Sequence, residues 1–342
     1  MKKTILFLGT ICIMASQSQG QSVVALHSAS GVQMFSGVNP FIDAYNASVT
    51  GDTVYLPGGF FNVPGTLDKG LLIYGAGHYP DSTTATNKTI LTAGLTLGAN
   101  ADSIHLEGLQ INGGITFAGS TSVNNVTIKR NHLTAGIDFS GSGVPCTNTL
   151  ITQNVIDGEI QGSNAQQLLL TNNIIAGKIR NMTGMVIQNN ILLANYYSGP
   201  PYYNYISMTG MANNTISNNI FLATSDTYAV EGTGNFVNNN VFLMAYNPGA
   251  NSASGNYNNV LQDTIFINQS GNGFSYAHNY HLQSPSTYIG TDATECGIYG
   301  GIFPYKEGAV PYNPHIQQKS ISSVTDINGN INVNIKVVAQ DK

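Results

Sequence analysis

Charged side chains are scarce in this chain, and four of them recur at one place in a repeated pattern. They make up 8% of its 342 residues, against about 25% in an ordinary soluble domain. Each of the four stands beside an isoleucine that follows a glycine by one or two positions: Asp138, Glu159, Lys178 and Arg180. Acidic and basic groups at matched positions of a repeat could act together on one bound molecule.

The repeat itself predicts how these charges are arranged. With the isoleucines at 137, 160 and 179 aligned as inward-facing residues, Glu159 and Lys178 take one outward position on neighbouring coils. A second outward column consists of Asp138, Gln161 and Arg180. Parallel strands lie about 4.8 Å apart, so we expect Glu159 to reach Lys178.

Two reactions could use such a cluster. β-Elimination of a uronate needs a base and a cation that stabilises the carboxylate, for which Lys178 (or a tyrosine) and Arg180 are weak candidates. Hydrolysis of a glycoside needs two carboxylates, and Asp138 and Glu159 are the only near pair. Neither arrangement matches a complete catalytic motif.

A tyrosine-rich insertion is predicted beside these charges. Residues 195–205 lengthen one repeat and carry several aromatic side chains. Aromatic faces next to charged groups suit a sugar chain. The predicted ligand-binding residues are Tyr196, Tyr197, Tyr202, Tyr203, Lys178, Arg180 and Glu159. The competing interpretation is structural, with opposite charges forming a surface ladder and the tyrosines a lid over an apolar gap.

The elements that must position these residues are read from a recurring asparagine. It stands at 131, 154, 173, 190, 219 and 240, after strand-length apolar phrases, with steps of 17 to 29 residues. A period near 20 predicts an all-β fold, a right-handed parallel β-helix. Asparagine tolerates left-handed geometry at a bend, and stacked copies can form an amide ladder. We expect Lys129, Arg130 and His132, which lie near one bend, to be solvated.

The predicted organisation has four parts. Residues 1–20 form a secretory signal, 21–100 an N-terminal cap and the first coils, 101–301 the β-helix, and 302–342 a C-terminal tail packed on it. A basic start, a short apolar run and small residues before position 20 are typical of a cleaved signal. The sequence therefore predicts an exported protein, secreted or associated with the bacterial surface.

Composition limits the partners. Loss of Lys2 and Lys3 with the signal changes the net charge from −5 to −7, which argues against nucleic acid. No apolar run is long enough for a transmembrane segment in the mature chain. Cofactor motifs are missing, and His278 with His281 lacks a third ligand, so neither cofactor nor metal is expected. Cys146 and Cys296 could form a disulfide, although their spacing does not establish one.

Several phrases resemble a known superfamily. Residues 51–59 (GDTVYLPGG), the Asn-Asn repeats, residues 297–301 (GIYGG) and residues 311–315 (PYNPH) are similar to the pectate-lyase-like superfamily, and in particular to secreted β-helix proteins of Gram-negative bacteria. The resemblance implies the β-helix fold. Members of that superfamily include lyases, glycosidases, esterases and adhesins, and the aspartate cluster by which its pectate lyases hold calcium is missing here.

Three functions follow in order of preference. The first is binding of an extracellular polysaccharide. The second is a structural role as an adhesin or envelope component that contacts a cell-surface protein. The third is a polysaccharide lyase or hydrolase, which the missing motifs disfavour.

Overall fold

Parallel strands stack into a β-solenoid of about nine turns, which confirms the predicted fold class. The computed structural model describes residues 22–141, 143–194, 207–224 and 229–339. Each coil contributes short strands to three faces, here called face one, face two and face three, and tight bends join them. Helix accounts for only 6% of the chain.

Face one and face three merge at the late coils, where strand Val230–Asn238 pairs with both. The preceding strands of face one are Thr53–Tyr55, Leu72–Tyr74, His105–Glu107, Thr127–Lys129, Leu150–Thr152, Leu169–Thr171, Val186–Gln188 and Thr215–Ser217. Those of face three are Leu95–Leu97, Ile115–Phe117, Ile137–Asp138, Ile160–Gln161, Ile179–Arg180 and Met208–Ala212. Strand Ala250–Ser254 follows Val230–Asn238 in the stack.

Face two is a separate sheet of nine strands. They are Gly59–Phe61, Thr89–Leu91, Gln110–Ile111, His132–Leu133, Val155–Ile156, Ile174–Ile175, Ile191–Leu192, Ile220–Phe221 and Val241–Phe242. Short strands Cys146–Thr147 and Ala165–Gln166 pair beside the main faces.

The core is built from equivalent residues of successive coils. The central residue of each three-residue strand on face one points inward and is fully buried, as Ile128, Ile151 and Leu170 illustrate. On face three, Ile137 pairs with Ile160 and Ile160 with Ile179, so the predicted register is confirmed. Alternation of inward and outward side chains with period two explains this stacking.

The recurring asparagines form a buried ladder. In each successive pair from Asn131 to Asn256, the backbone N–H of one residue donates to Oδ1 of the next at 2.9 Å. The amide nitrogen also donates to carbonyls at the bend, as Asn173 does to Ile151 and Thr171 at 2.9 Å. The predicted ladder is thus confirmed. Left-handed geometry belongs instead to the preceding residue, for example Asn172 with φ of 56°.

Different elements close the two ends and one side of the stack. Antiparallel strands Val24–Ser28 and Gly31–Phe35 and helix Pro40–Ala47 cover the first coil, with Phe41 buried. Beyond the last coil, strands Phe266–Asn268 and Asn279–Leu282 return along face two. Three short 3-10 helices also occur in the connecting segments: Asp81–Thr83, Gln262–Thr264 and Glu307–Ala309.

The C-terminal residues form an antiparallel hairpin. Its strands are His315–Ile321 and Val333–Val338, and most of their side chains are exposed. Residues 303–312, by contrast, lie against the stack.

Cys146 and Cys296 are buried free thiols, so they are not bridged to each other. Cys296 donates to the Asn239 carbonyl at 3.0 Å, while Cys146 accepts from Val123 at 3.4 Å. Among the described residues, no helix is long and apolar enough to cross a membrane.

Replacement of one ladder residue should destabilise the protein strongly. Asn173→Ala would leave the buried backbone groups that it serves without partners, at about 1–3 kcal/mol each. We expect the free energy of unfolding in urea to fall by about 3–5 kcal/mol. Asn334→Ala, on the exposed hairpin, is the control and should change it by less than about 0.5 kcal/mol. Equal effects of both substitutions would contradict a structural role for the ladder.

Candidate functional site

The predicted charged cluster is assembled in part. Arg180 donates to the Glu159 carboxylate at 3.1 Å, with both side chains about two-fifths exposed. The ion pair is therefore diagonal across neighbouring coils, because Arg180 and Glu159 belong to different outward columns of the alignment. Exposed pairs of this kind contribute about 0–1 kcal/mol to stability.

The remaining predicted residues are Asp138, Lys178 and four tyrosines. Asp138 accepts a hydrogen bond from the backbone N–H of Ser140 at 2.7 Å, which ties it to its own turn. Lys178 is half-buried on the same side as Glu159. The four tyrosines predicted to bind a ligand, at 196, 197, 202 and 203, lie outside the described residues.

Close coil packing fixes the turn that carries Glu159. This turn joins face two to face three, and a glycine occurs in it on successive coils, at 136, 158 and 177. A Cβ at Gly136 would lie 1.7 Å from the Glu159 carbonyl oxygen, so a side chain cannot fit there. The same turn carries Asp157, so the predicted cluster adjoins face two.

The outward side chains of face two differ in solvent exposure from the early to the late coils. From Val155 onward, its outward side chains are buried under residues 265–305, as Ile174, Ile191 and Ile220 show. The earlier outward residues, in register on successive strands, are Phe60, Ile90, Gln110 and His132. Phe60 is 69% exposed. These early coils form a surface that we call the open half.

A second outward column runs beside the first on the open half. It follows the strands and consists of Asn62, Thr92, Asn112, Thr134 and Asp157. The Thr92 hydroxyl donates to Asn62 Oδ1 on the neighbouring coil at 3.1 Å, and Asn112 Oδ1 accepts from Gln110 of its own strand at 3.1 Å. The open half therefore offers hydrogen-bonding groups at every coil beside the apolar surface of Phe60 and Ile90.

A chain of hydrogen bonds marks the boundary between the open and covered halves. His132 Nε2 lies 2.9 Å from an Asp157 carboxylate oxygen, and His132 Nδ1 lies 2.8 Å from the Tyr276 hydroxyl. The carboxylate can only accept, so a neutral His132 donates from Nε2 and accepts the Tyr276 proton at Nδ1. His78 Nδ1 lies 3.3 Å from the same hydroxyl.

Burial determines the protonation of two residues in this hydrogen-bonded group, His78 and Tyr276. It lowers the pKa of His78 well below its usual value, with help from nearby His132 and Lys88. Burial likewise raises the pKa of Tyr276, and Tyr79 and Asp157 add to the effect. At neutral pH, His78 is thus an uncharged imidazole and Tyr276 a phenol. His78 Nε2 is buried without a hydrogen-bond partner.

One cation stands over this part of the open half. Lys88 Nζ donates to Gln110 Oε1 at 2.7 Å and lies 5.4 Å from the centre of the Tyr276 ring. Burial lowers the pKa of Lys88. The Tyr276 phenol therefore lies between the imidazole of His132, which can accept a proton, and the ammonium group of Lys88. This combination is suited to proton transfer.

A second charged cluster is structural. Arg130, expected to be solvated, is wholly buried because it donates to Glu107 at 2.8 Å and to Gln153 at 2.6 Å. Its guanidinium lies 3.8 Å from the centre of the Tyr312 ring. These contacts fasten residues 265–315, which we call the C-terminal segment, to the stack. The expectation that Arg130 is solvated was therefore wrong.

Histidines elsewhere have local partners. His278 bonds to Tyr280 at 3.2 Å, and His281 stacks on Tyr299 and bonds to Glu307 at 2.9 Å. Within the described ranges, no three His, Cys, Asp or Glu side chains converge to hold a metal.

The sequence did not predict the hydrogen bonds that join Asp157, His132 and Tyr276. His132 follows a ladder asparagine and Asp157 stands three residues after the next one, so the repeat alone could have brought them together. Tyr276 lies 144 residues from His132 in a segment without repeats, and no spacing signals that contact.

Comparison of the chain with protein-family models, curated proteins and solved structures finds no match. The likeness to the pectate-lyase-like superfamily therefore remains a resemblance, and the site has to be interpreted from its own chemistry.

Stability should depend on pH through Glu107. Burial opposes its ionisation, but the hydrogen bond from His105 and the charges of Lys129 and Arg130 outweigh it and hold the pKa below its usual value. A depressed pKa stabilises the fold above the unfolded-state pKa of about 4.3, and this stabilisation is lost as pH falls through the folded-state pKa.

The test is Glu107→Gln, for which we expect a loss of about 3 kcal/mol in the free energy of unfolding at neutral pH. The difference from wild type should shrink below about pH 4. Glu159→Gln, in the exposed pair, is the matched control and should change stability by less than about 1 kcal/mol. A Glu107→Gln effect that does not vary with pH would contradict this assignment.

Proposed function

We propose that this protein is exported and binds an extracellular polysaccharide along the open half of face two. The observation that carries the proposal is the contrast within one sheet, since the later coils are sealed by residues 265–305 while Phe60, Ile90 and Gln110 of the earlier coils remain exposed or partly exposed. A repeated surface of this kind suits a repeated ligand.

The dimensions and chemistry of the open half fit a sugar chain. The second outward column, from Asn62 to Asp157, spans five coils, which at about 4.8 Å give a strip roughly 20 Å long. Hydroxyl and amide groups along the strip can pair with sugar hydroxyls, and Phe60 can contact the apolar face of a sugar ring. Lys88 adds one positive charge, which favours a chain that carries carboxylates.

The predicted flank extends this surface. Asp157 and Glu159 belong to one turn, so Glu159, Arg180 and Lys178 can contact a chain that leaves the open half around that turn. The resemblance to the pectate-lyase-like superfamily of secreted β-helix proteins supports the same function.

Retention on immobilised polysaccharides, neutral and uronate, measures this binding. We expect Phe60→Ala combined with Asn112→Ala to weaken retention about tenfold, equivalent to about 1.4 kcal/mol. Phe236→Ala combined with Asn334→Ala removes an exposed phenylalanine and an exposed asparagine away from the open half, and it should leave retention unchanged. Circular dichroism checks that both variants are folded.

The flank has its own variant, Lys178→Ala with Arg180→Ala, which should weaken retention of uronate chains more than neutral ones. Failure of the wild-type protein to bind any polysaccharide would reject the proposal. It would favour the structural alternative, an adhesin or envelope component.

A second candidate function, polysaccharide lyase, is favoured by the Asp157–His132–Tyr276 chain. Tyr276 could take the proton from the carbon beside a uronate carboxylate as its own proton passes to His132 Nδ1, with Asp157 stabilising the imidazolium. The carbon–oxygen bond to the neighbouring sugar then breaks and a carbon–carbon double bond forms. The leaving oxygen takes up the abstracted proton from Tyr276, and His132 Nδ1 returns its proton to the Tyr276 oxygen. Lys88 would stabilise the charge that develops on the carboxylate.

Tyr276→Phe separates this reaction from binding. If Tyr276 transfers the proton, ultraviolet absorbance from unsaturated sugar ends should form at least about 100-fold more slowly, with retention preserved. Tyr79→Phe is the control, because the Tyr79 hydroxyl bonds to Tyr305 at 3.0 Å in the same aromatic cluster and has no part in the chain. Absence of unsaturated ends with wild-type protein on every uronate polymer would reject the lyase.

A further inference from the structure

A second concave site lies on face one, apart from the open half. It is a cavity of about 450 Å³ between the first coils and residues 313–315 of the C-terminal segment. Small-molecule sites in proteins are usually clefts of about 300–1,000 Å³ with mostly apolar walls. This cavity is of that size.

Aromatic rings line one wall of the cavity, one from each successive strand. His27 and Tyr55 have ring centres 4.9 Å apart, and Tyr55 stacks on Tyr74 at 5.6 Å. The strand register fixes the stack of Tyr55 on Tyr74, since these two residues pair directly, whereas His27 pairs with Thr53 and reaches the Tyr55 ring diagonally. Leu56 and Pro57 extend the apolar surface.

Two polar atoms of the lining residues in the C-terminal part of the chain have no hydrogen-bond partner. Asn313 Oδ1 and His315 Nδ1 are both buried, and both residues line the cavity. A buried polar atom without a partner costs about 1–3 kcal/mol, so native proteins rarely keep one without a reason. Two on one wall of a cavity point to a ligand that supplies the missing hydrogen bonds.

The charge of the lining restricts the ligand. The cavity is lined by Val23, Ala25, His27, Tyr55, Leu56, Pro57, Tyr74, Gly75, Ala76, Asn313, Pro314 and His315. None of these lining residues is a lysine, an arginine or a carboxylate. A charged ligand would lose its hydration here without gaining an opposite charge, which is unfavourable.

We propose that this cavity binds one neutral sugar residue. The C–H face of the sugar contacts the rings of Tyr55 and Tyr74, a hydroxyl donates to Asn313 Oδ1, and another pairs with His315 Nδ1. The site goes beyond the function proposed for the open half because it lies on another face and uses none of the same residues. It favours neutral sugars, whereas the open half favours chains that carry carboxylates.

Saturation-transfer NMR with free monosaccharides tests the cavity without involving the open half. The probes are glucose, galactose, mannose, xylose and N-acetylglucosamine, with glucuronate as the charged comparison. We expect transfer to at least one neutral sugar, and at least tenfold weaker binding of that sugar by Asn313→Leu and by Tyr55→Leu. Asn334→Leu, on the exposed hairpin, is the control and should bind as wild type does.

Thermal melting supplies a second readout. Asn313→Leu should melt at a higher temperature than wild type without ligand, because a buried acceptor without a partner is removed. Added sugar should raise the melting temperature of wild type and of Asn334→Leu, but not that of Asn313→Leu. No transfer to any neutral sugar, equal binding of glucuronate, or unchanged binding by both cavity variants would overturn the proposal. Monosaccharide binding without polysaccharide retention would reject only the function proposed for the open half.

Discussion

The structure depends on a buried amide at six successive bends between face one and face two. Backbone groups at that bend lie out of reach of water, and a side chain that can donate and accept at once must satisfy them. Asparagine does so at 131, 154, 173, 190, 219 and 240, each fully buried and bonded to the next coil. The ladder fixes the rotation of one coil on another, so outward side chains line up in columns.

The residue before each ladder asparagine has a different task. It takes left-handed geometry and lies on the outside of the bend, where its side chain meets the C-terminal segment. Gln153 donates to the Pro304 carbonyl, Asn172 to those of Ile298 and Gly300, and Asn189 to that of Gly297. The doubled asparagine of the repeat thus joins coils on its inner side and holds a non-repeating segment on its outer side.

That docking divides the surface chemically. Where the segment lies on face two, the outward residues are apolar and sealed. Where it ends, polar groups are exposed, and the Asp157–His132–Tyr276 chain joins the last open coil to the segment. The continuation of the segment over face one encloses the aromatic cavity between Tyr74 and His315. Both candidate sites therefore lie where repeating and non-repeating parts of the chain meet.

The sequence by itself determined the stacked fold, the amide ladder and the register of Ile137, Ile160 and Ile179, because each rests on a spacing that recurs from coil to coil. Only the tertiary structure decided that Arg130 is buried, that Arg180 bonds to Glu159, and that Tyr276 meets His132. Two of these three contacts involve the C-terminal segment, which has no period to align with the stack. The Arg180–Glu159 contact depends on how far side chains extend between the two outward columns, and the register of the strands does not determine that.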